Sequence, residues 1–456
     1  MCLGLASTAT AQSITIGGKQ YAVDRVGGVE IGGASNDPGD FTQPTYLTQP
    51  AGDNNNLFIV ERVDAAGTGR IVRFDQATNT QSTFLDIGGG VVQDGGLQTM
   101  AFHPDFQSNG RFYTTTVFGQ GTNVVDEWIA NPSDLNAAPT YSQRMLEYED
   151  LVGGVQHTIN WIGFRPGDAS NRLYVTTGDG GVQAGSPGFN PGLIESTNSP
   201  FGKVLRLDVD ADYSASPTGS NLDSDSRIDV VAVGLRNPYR ASFDPSGGMF
   251  MGNVGFNTAE EIEYLSSDRI DEFDQTGVPA NFGWPQREGT AETNPPQGPG
   301  DPGDIMPILD YAHDGFQGDL GHGSVFDADG NELLGNSITG GYWFDGRYFF
   351  GEFVPRKLYS GVFDPTADPA SFDGTQITGI EEHSVDIESA LGEGIQSVVS
   401  FGMDNAGNLY IIDFGQGNLY NPDAGTGEIF RIRAVPEPGI LSLGILGAGL
   451  LMRRKR

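Results

Sequence analysis

A short unit recurs along this chain: an aromatic residue, a turn rich in Pro, Asp and Gly, then an alternating apolar run. Phe102-His103-Pro104-Asp105 leads through Gly110 to Arg111-Phe112-Tyr113. Phe164-Arg165-Pro166-Gly167-Asp168 leads to Leu173-Tyr174-Val175. Phe243-Asp244-Pro245 leads to Met249-Phe250, and Phe401-Gly402-Met403-Asp404 leads to Leu409-Tyr410-Ile411. Each copy reads as a β-hairpin. Successive phenylalanines are 62, 79 and 158 residues apart. The last gap is twice the one before, so a further unit is expected inside it. Gly340-Gly341-Tyr342-Trp343-Phe344 and Arg347-Tyr348-Phe349-Phe350 supply that unit. Asn56-Leu57-Phe58-Ile59-Val60 and Arg70-Ile71-Val72-Arg73-Phe74 form another. Six repeated hairpins predict an all-β fold, a six-bladed β-propeller, since radial closure protects the strand edges. The strand 427–433 is expected to close the ring against the first hairpin.

Composition agrees with short strands and tight turns: 67 of 456 residues are Gly, and Phe and Tyr number 27 and 15. Lys and Arg total 25 against 59 Asp and Glu, a net charge of −34. That excludes nucleic acid as a partner, because phosphate binding needs clustered cations. The only cysteine is Cys2, so thiolate metal centres and structural disulfides are not expected. Stretches 118–150, 181–199, 210–228 and 285–335 are read as loop insertions, where function is usually carried.

The two ends read as targeting segments. Residues 1–11 end in Ala9-Thr10-Ala11 after a short apolar run, the pattern of a signal-peptide cleavage site. Residues 12–44 are taken as a lead-in and 45–433 as the propeller. Within 434–456, Val435-Pro436-Glu437-Pro438 precedes an apolar run to Met452 and then Arg453-Arg454-Lys455-Arg456. That run is shorter than the roughly 20 residues of a stable membrane span. The order resembles the PEP-CTERM sorting tail of exopolysaccharide-producing bacteria. The resemblance implies export, a transient membrane anchor and contact with export and sorting machinery; an ordinary short anchor is the alternative.

Candidate chemistry centres on few residues. His157 precedes the strand Trp161-Ile162-Gly163-Phe164, where a propeller channel has its mouth. A histidine there can act as a general base or be a hydrogen-bonded structural residue. Arg236 and Asn237 sit in the turn Gly234 to Pro238. Arg236 can stabilise negative charge or tie two blades together. Glu260 and Glu261 follow the Gly255-Phe256 loop and are the best cation candidates. The Asp-rich loop at 327–332 matches only half of a calcium loop. His103, inside a repeat turn, is expected to be structural.

These stretches together resemble the soluble, pyrroloquinoline-quinone-dependent sugar dehydrogenases, the glucose/sorbosone dehydrogenase family. The similarity runs through Ala101 to Phe106, Thr177-Gly178-Asp179-Gly180-Gly181, Gly202 to Asp208, Gly234 to Pro238, Val254-Gly255 with Glu260 to Ile262, and Asn281 to Pro285. The resemblance implies a six-bladed propeller that oxidises an aldose with the quinone and Ca²⁺. It implies His157 as the base for the anomeric hydroxyl, Arg236 beside the quinone and Asn237 as a cofactor contact. It further implies Gly255 and Phe256 carbonyls at the calcium, Arg356 or Lys357 as the fifth-blade basic residue, and an electron acceptor not identified by sequence. The family's arginine pair for the cofactor carboxylates falls near 395–399, where this chain has none. Two other readings stay open: a non-catalytic carbohydrate- or protein-binding propeller at the cell surface, and a calcium-dependent lactone hydrolase.

Overall fold

The computed structural model describes residues 12–435 except 29–38, 64–66, 89–90, 120, 152–155, 183, 185–188, 220, 294, 319 and 393. The signal segment 1–11 and the tail from 436 onward lie outside the described residues. Six sheets, antiparallel except for one short parallel pair of Ala232–Val233 with Ala280–Asn281, form the blades of a propeller. Their innermost strands are Pro44–Thr48, Val91–Phe102, Ile159–Phe164, Pro238–Phe243, Ile338–Phe344 and Val398–Met403. These define blades 1 to 6.

The recurring unit is the turn between the first and second strand of a blade. Its aspartate closes the turn with its own carboxylate. Asp244 accepts from the amides of Ser246 (2.6 Å) and Gly248 (3.2 Å), and Asp404 from those of Ala406 and Asn408 (both 2.9 Å). His103 substitutes in blade 2, where its Nδ1 accepts from the Asp105 amide, the structural role expected of it.

The recurring aromatic packs against the preceding blade. Phe102 of blade 2 meets Phe58 of blade 1 edge-on at 4.8 Å. Phe164 meets Tyr113 at 5.7 Å, Phe243 meets Tyr174 at 5.1 Å, and Trp343 stacks on Phe250 at 5.9 Å. Phe102 is buried and the other three rings are half-buried. Full burial of such a ring is worth about 1.5–3 kcal/mol and half-burial less, and the repeat is a set of inter-blade wedges.

Two expectations change. Blade 6 is closed by the N-terminal segment, because Lys19–Arg25 pairs with Glu428–Ala434 and Gln12–Ile16 adds outside it. Residues 12–25 therefore belong to the propeller, and the last strand meets them instead of the 56–74 hairpin. The stretch 118–150 contains the outer strands of blade 2, Thr122–Ile129 and Thr140–Glu149, and 285–335 contains the outermost strand of blade 4, Leu309–Ala312. In blade 2 only the edge strand Thr140–Glu149 keeps a wet face, while Thr122–Ile129 is buried from Asn123 to Glu127.

Candidate active site

All six inner strands start at one end of the channel and run to the repeat turns at the other. Near that start each strand departs from regular pairing in the same way. The ladder skips one residue: Thr45, Gln98, Asn160, Tyr239, Thr339 and Val399. Such a bulge re-aims a side chain. Four of the six, Gln98, Asn160, Tyr239 and Val399, line an open cavity of about 790 Å³, solvent at its mouth included.

Below them the channel is plugged by the next residues along. The Tyr46 hydroxyl meets that of Tyr342 (3.0 Å) and accepts from Trp161 Nε1 (3.2 Å). Arg240 completes the plug and is buried. Above the floor stand Phe353, Phe414 and Tyr420 on one side, with His157, Thr158 and Asn237 on the other. Arg62 also lines the cavity, its guanidinium 4.8 Å from the Phe414 ring centre. No Asp or Glu is among the lining residues.

His157 is held from behind. Its backbone is left-handed, φ 51°, and its Nδ1 lies 2.6 Å from Asp179 Oδ1. Asp179 is itself fixed: Oδ1 accepts from the Gly181 amide (3.0 Å), Oδ2 from Trp284 Nε1 (3.0 Å). The run Thr177 to Gly181 packs on the His157 backbone so closely that a Cβ at Gly178 would stand 2.3 Å from the His157 carbonyl oxygen. With Nδ1 bound to a carboxylate, the proton sits there and Nε2 is the free base. Burial pulls the ring's pKa below its ordinary value, Arg236 adds to this, and Asp179 opposes it. Burial also acts against the Asp179 carboxylate, but His157 and Arg236 hold its pKa below the ordinary value.

Arg236 turns its guanidinium onto the next loop. Nη1 donates to the carbonyls of Val254 (2.7 Å) and Gly255, and the group lies over Phe256 and Trp284 at 5.5 and 5.7 Å. Asn237 Oδ1 accepts from the floor residue Asn160 (2.8 Å). The predicted residues His157, Arg236 and Asn237 are thus brought together, with Gly255 and Phe256 alongside. Arg356 and Lys357 are not: Arg356 donates to Gln396 (3.2 Å) and Lys357 pairs with Glu382 (3.3 Å).

Glu260 and Glu261 are neighbours on the strand Ala259–Leu265 and point to opposite faces. Glu260 Oε2 accepts from the Ile338 amide (2.8 Å); Glu261 accepts from the Gly289 amide and from Asn253. The two cannot share an ion, and the Gly255 carbonyl already takes a guanidinium. Ca²⁺ needs six to eight oxygens around one point, so this donor set does not fit it. Among the described residues no three His, Cys, Asp or Glu side chains gather to hold a metal. The lining is chemically compatible with a planar, carboxylate-bearing quinone. It offers aromatic walls, amide groups and the Arg62 guanidinium, which also donates to Gln43 and the Tyr420 carbonyl, and no carboxylate is among the lining residues. Sequence reasoning missed Arg62, Asp179, Trp284 and Arg240 as parts of this site, although Asp179 and Trp284 stood in stretches singled out for their resemblance.

A propeller that holds a His–Asp pair at its channel mouth, the aspartate buried and the histidine partly exposed, is a framework for acid–base chemistry. Residues 42–307 match the family described as Glucose / Sorbosone dehydrogenase, and the chain belongs to that family. HIPL1 protein of Arabidopsis thaliana is 27% identical over 392 residues, 70% of this chain and 52% of the relative. Quinoprotein glucose dehydrogenase B of Acinetobacter calcoaceticus is 25% identical over 261 residues, 52% of this chain and 49% of the relative. The chain thus spans about half the length of these curated relatives. The PQQ-bound aldose sugar dehydrogenase of Streptomyces coelicolor superposes with a TM-score of 0.56 at 18% identity, covering 91% of this chain and 98% of that one. That likeness is one of fold.

Proposed function

We propose that the channel mouth oxidises a sugar, an aldose or the sugar end of a polysaccharide, at its anomeric hydroxyl. The observation that carries this is the His157–Asp179 pair at the cavity rim, with Nε2 left as a free base beside the cavity. Bound there, pyrroloquinoline quinone would accept the hydride, the two-electron half of the oxidation. The residues supply the rest. His157 Nε2 takes the hydroxyl proton as the C1–H bond breaks, and the Asp179 carboxylate stabilises the imidazolium that forms. The lowered pKa keeps His157 neutral, and so basic, at neutral pH. Arg236 places positive charge next to the reacting groups, and Asn160 and Asn237 hold each other in the floor. Ca²⁺ is left out, since its expected donors do not converge. Export, with the terminal segments as address, and electron delivery to an external acceptor belong to the same proposal.

The test is reconstitution of the purified protein with the quinone while dye-linked oxidation of several aldoses is followed. Activity that falls roughly 10²- to 10⁴-fold in His157→Ala, the range for loss of a general base, supports the mechanism. Quinone binding with no oxidation of any sugar would remove it. Arg356 and Lys357 are engaged with Gln396 and Glu382 and do not line the cavity, which favours the second reading, a carbohydrate- or protein-binding propeller. Sugar binding with no quinone binding would select that reading.

A further inference from the structure

The channel floor holds a charge that no side chain among the described residues neutralises. Arg240 is 2% exposed, and its guanidinium donates in five directions. Nε donates to Ser400 Oγ (3.2 Å), and Nη1 to the carbonyls of Asn160 (2.8 Å) and Tyr239 (3.1 Å). Nη2 donates to the Thr45 carbonyl (3.1 Å) and the Tyr239 hydroxyl (3.3 Å). Every acceptor is neutral, and they come from blades 1, 3, 4 and 6. The titratable groups that face Arg240 are Tyr239, Tyr46 and Tyr342; among the described residues no carboxylate pairs with it.

Two other buried arginines of this acidic chain are paired with carboxylates. Arg25 has Asp40 and Glu428 at 2.6 and 2.5 Å, and Arg206 has Asp229 and Asp274 at 2.9 and 2.6 Å. A buried charge without a counter-charge is costly, so its place here calls for an anion that the described residues do not supply.

The place for that anion is directly above. Asn160 and Tyr239 are cavity floor, and the Tyr239 ring centre lies 4.0 Å from the Arg240 guanidinium. The Tyr239 hydroxyl accepts from Arg240, which leaves its own proton to donate into the cavity. Arg62 adds a second cation to walls that have no acidic residue. We infer that Arg240 is the fixed counter-charge for a carboxylate-bearing ligand in the channel mouth, acting through the Tyr239 hydroxyl. Arg240 touches no ligand itself and is a positioning residue. The proposed function enters only in saying whose carboxylate it is: that of the quinone cofactor, or that of an acidic sugar.

The experiment compares ligands that differ in carboxylates. Binding of pyrroloquinoline quinone, with three carboxylates, and of 9,10-phenanthrenequinone, with none, is followed by quenching of protein fluorescence. Thermal shift is measured with galacturonate and with galactose. Wild type is expected to prefer the carboxylated quinone. Arg240→Gln reduces that preference at least about tenfold, the worth of one charge-assisted contact. Tyr239→Phe reduces it less, and Arg240→Lys retains most of it. General damage to the channel would weaken both quinones alike and leave their ratio unchanged. An unchanged ratio in Arg240→Gln, or in Tyr239→Phe should Arg240→Gln not fold, overturns the inference and leaves the cofactor reading standing. Stabilisation by galacturonate but not galactose, with no quinone bound, supports Arg240's role and removes the cofactor reading. A wild type that prefers neither carboxylated ligand overturns the inference.

Discussion

Asp179 divides its two oxygens between two partners. Oδ1 faces the His157 ring and Oδ2 the Trp284 indole. Asp179→Asn therefore does more than remove a charge, since an amide can present its N–H to Nδ1 and reverse the imidazole tautomer. Turnover is expected to fall roughly 10²- to 10⁴-fold. The pH profile should change in a definite direction. Burial and Arg236 lower the His157 pKa and Asp179 raises it, so the variant keeps only the lowering influences. The acid limb of kcat should move to lower pH than in wild type; an upward shift in a pH–rate series would contradict the pairing. His157 was legible as a residue at the start of a strand. Its partner was not, because 22 residues separate them and only the fold of Thr177 to Gly181 back onto the His157 backbone brings them together. Arg62 was hidden in a similar way: it follows a strand in blade 1 and reaches the cavity only after the ring closes.

The loop at 254–259 is organised by one carboxylate oxygen. Glu288 Oε1 accepts from the amides of Phe256 (2.6 Å), Asn257 (2.8 Å), Thr258 (2.8 Å) and Ala259 (3.2 Å). Gly255 completes the turn, where a Cβ would stand 1.7 Å from the Ala259 carbonyl oxygen. The carbonyls of Val254 and Gly255, which hold Arg236, depend on this turn. Glu288→Ala leaves four amides without their acceptor and should cost on the order of 2–4 kcal/mol. It should also release Arg236 and weaken quinone binding. Denaturant melts and a quinone titration check the two effects, and intact binding in a destabilised variant would separate the loop from the site. The hairpins were readable because aromatic, turn and alternation recur. The bulges above them were not, since Thr45, Gln98, Asn160, Tyr239, Thr339 and Val399 share a backbone position and no chemistry. The run Glu260 to Glu263 looked like a cation site because acid clusters usually seek water or metal. Here the whole strand is buried, and strand alternation already sends Glu260 and Glu261 apart.

Across the whole molecule, ring number and blade order followed from repeat spacing, while ring closure did not. The closing strand Lys19–Arg25 lies far from its partner in sequence and carries no copy of the repeat. Nor does the net charge of −34 show where acids are buried. Glu260 and Glu352 lie on one side of the strand Ala259–Leu265, and Glu261 and Glu263 on the other. Burial pushes Glu352 up to about 8, with Glu260 adding to the shift and Tyr311 opposing it. Burial likewise pushes Glu263 up to about 7, against hydrogen bonds to Glu261 and Asn253. In the unfolded chain both titrate near 4.5. Between the two values the folded state holds protons that the unfolded state has lost, so stability falls as pH rises. The contribution is fully present below about 4.5 and is lost as pH passes through about 7 and then about 8. Glu352→Gln mimics the protonated acid: its oxygen can accept from the Asn336 and Ser337 amides, as Glu352 Oε2 does, while its NH2 donates to the Tyr311 hydroxyl oxygen beside Oε1. The variant should melt with wild type at about pH 5 and above it at about pH 8.5, by about 1–3 kcal/mol or several degrees. Thermal melts of both proteins across that range decide the matter. A gap independent of pH would mean that Glu352 is ionised throughout and that the blade 4–5 contact is held by charge.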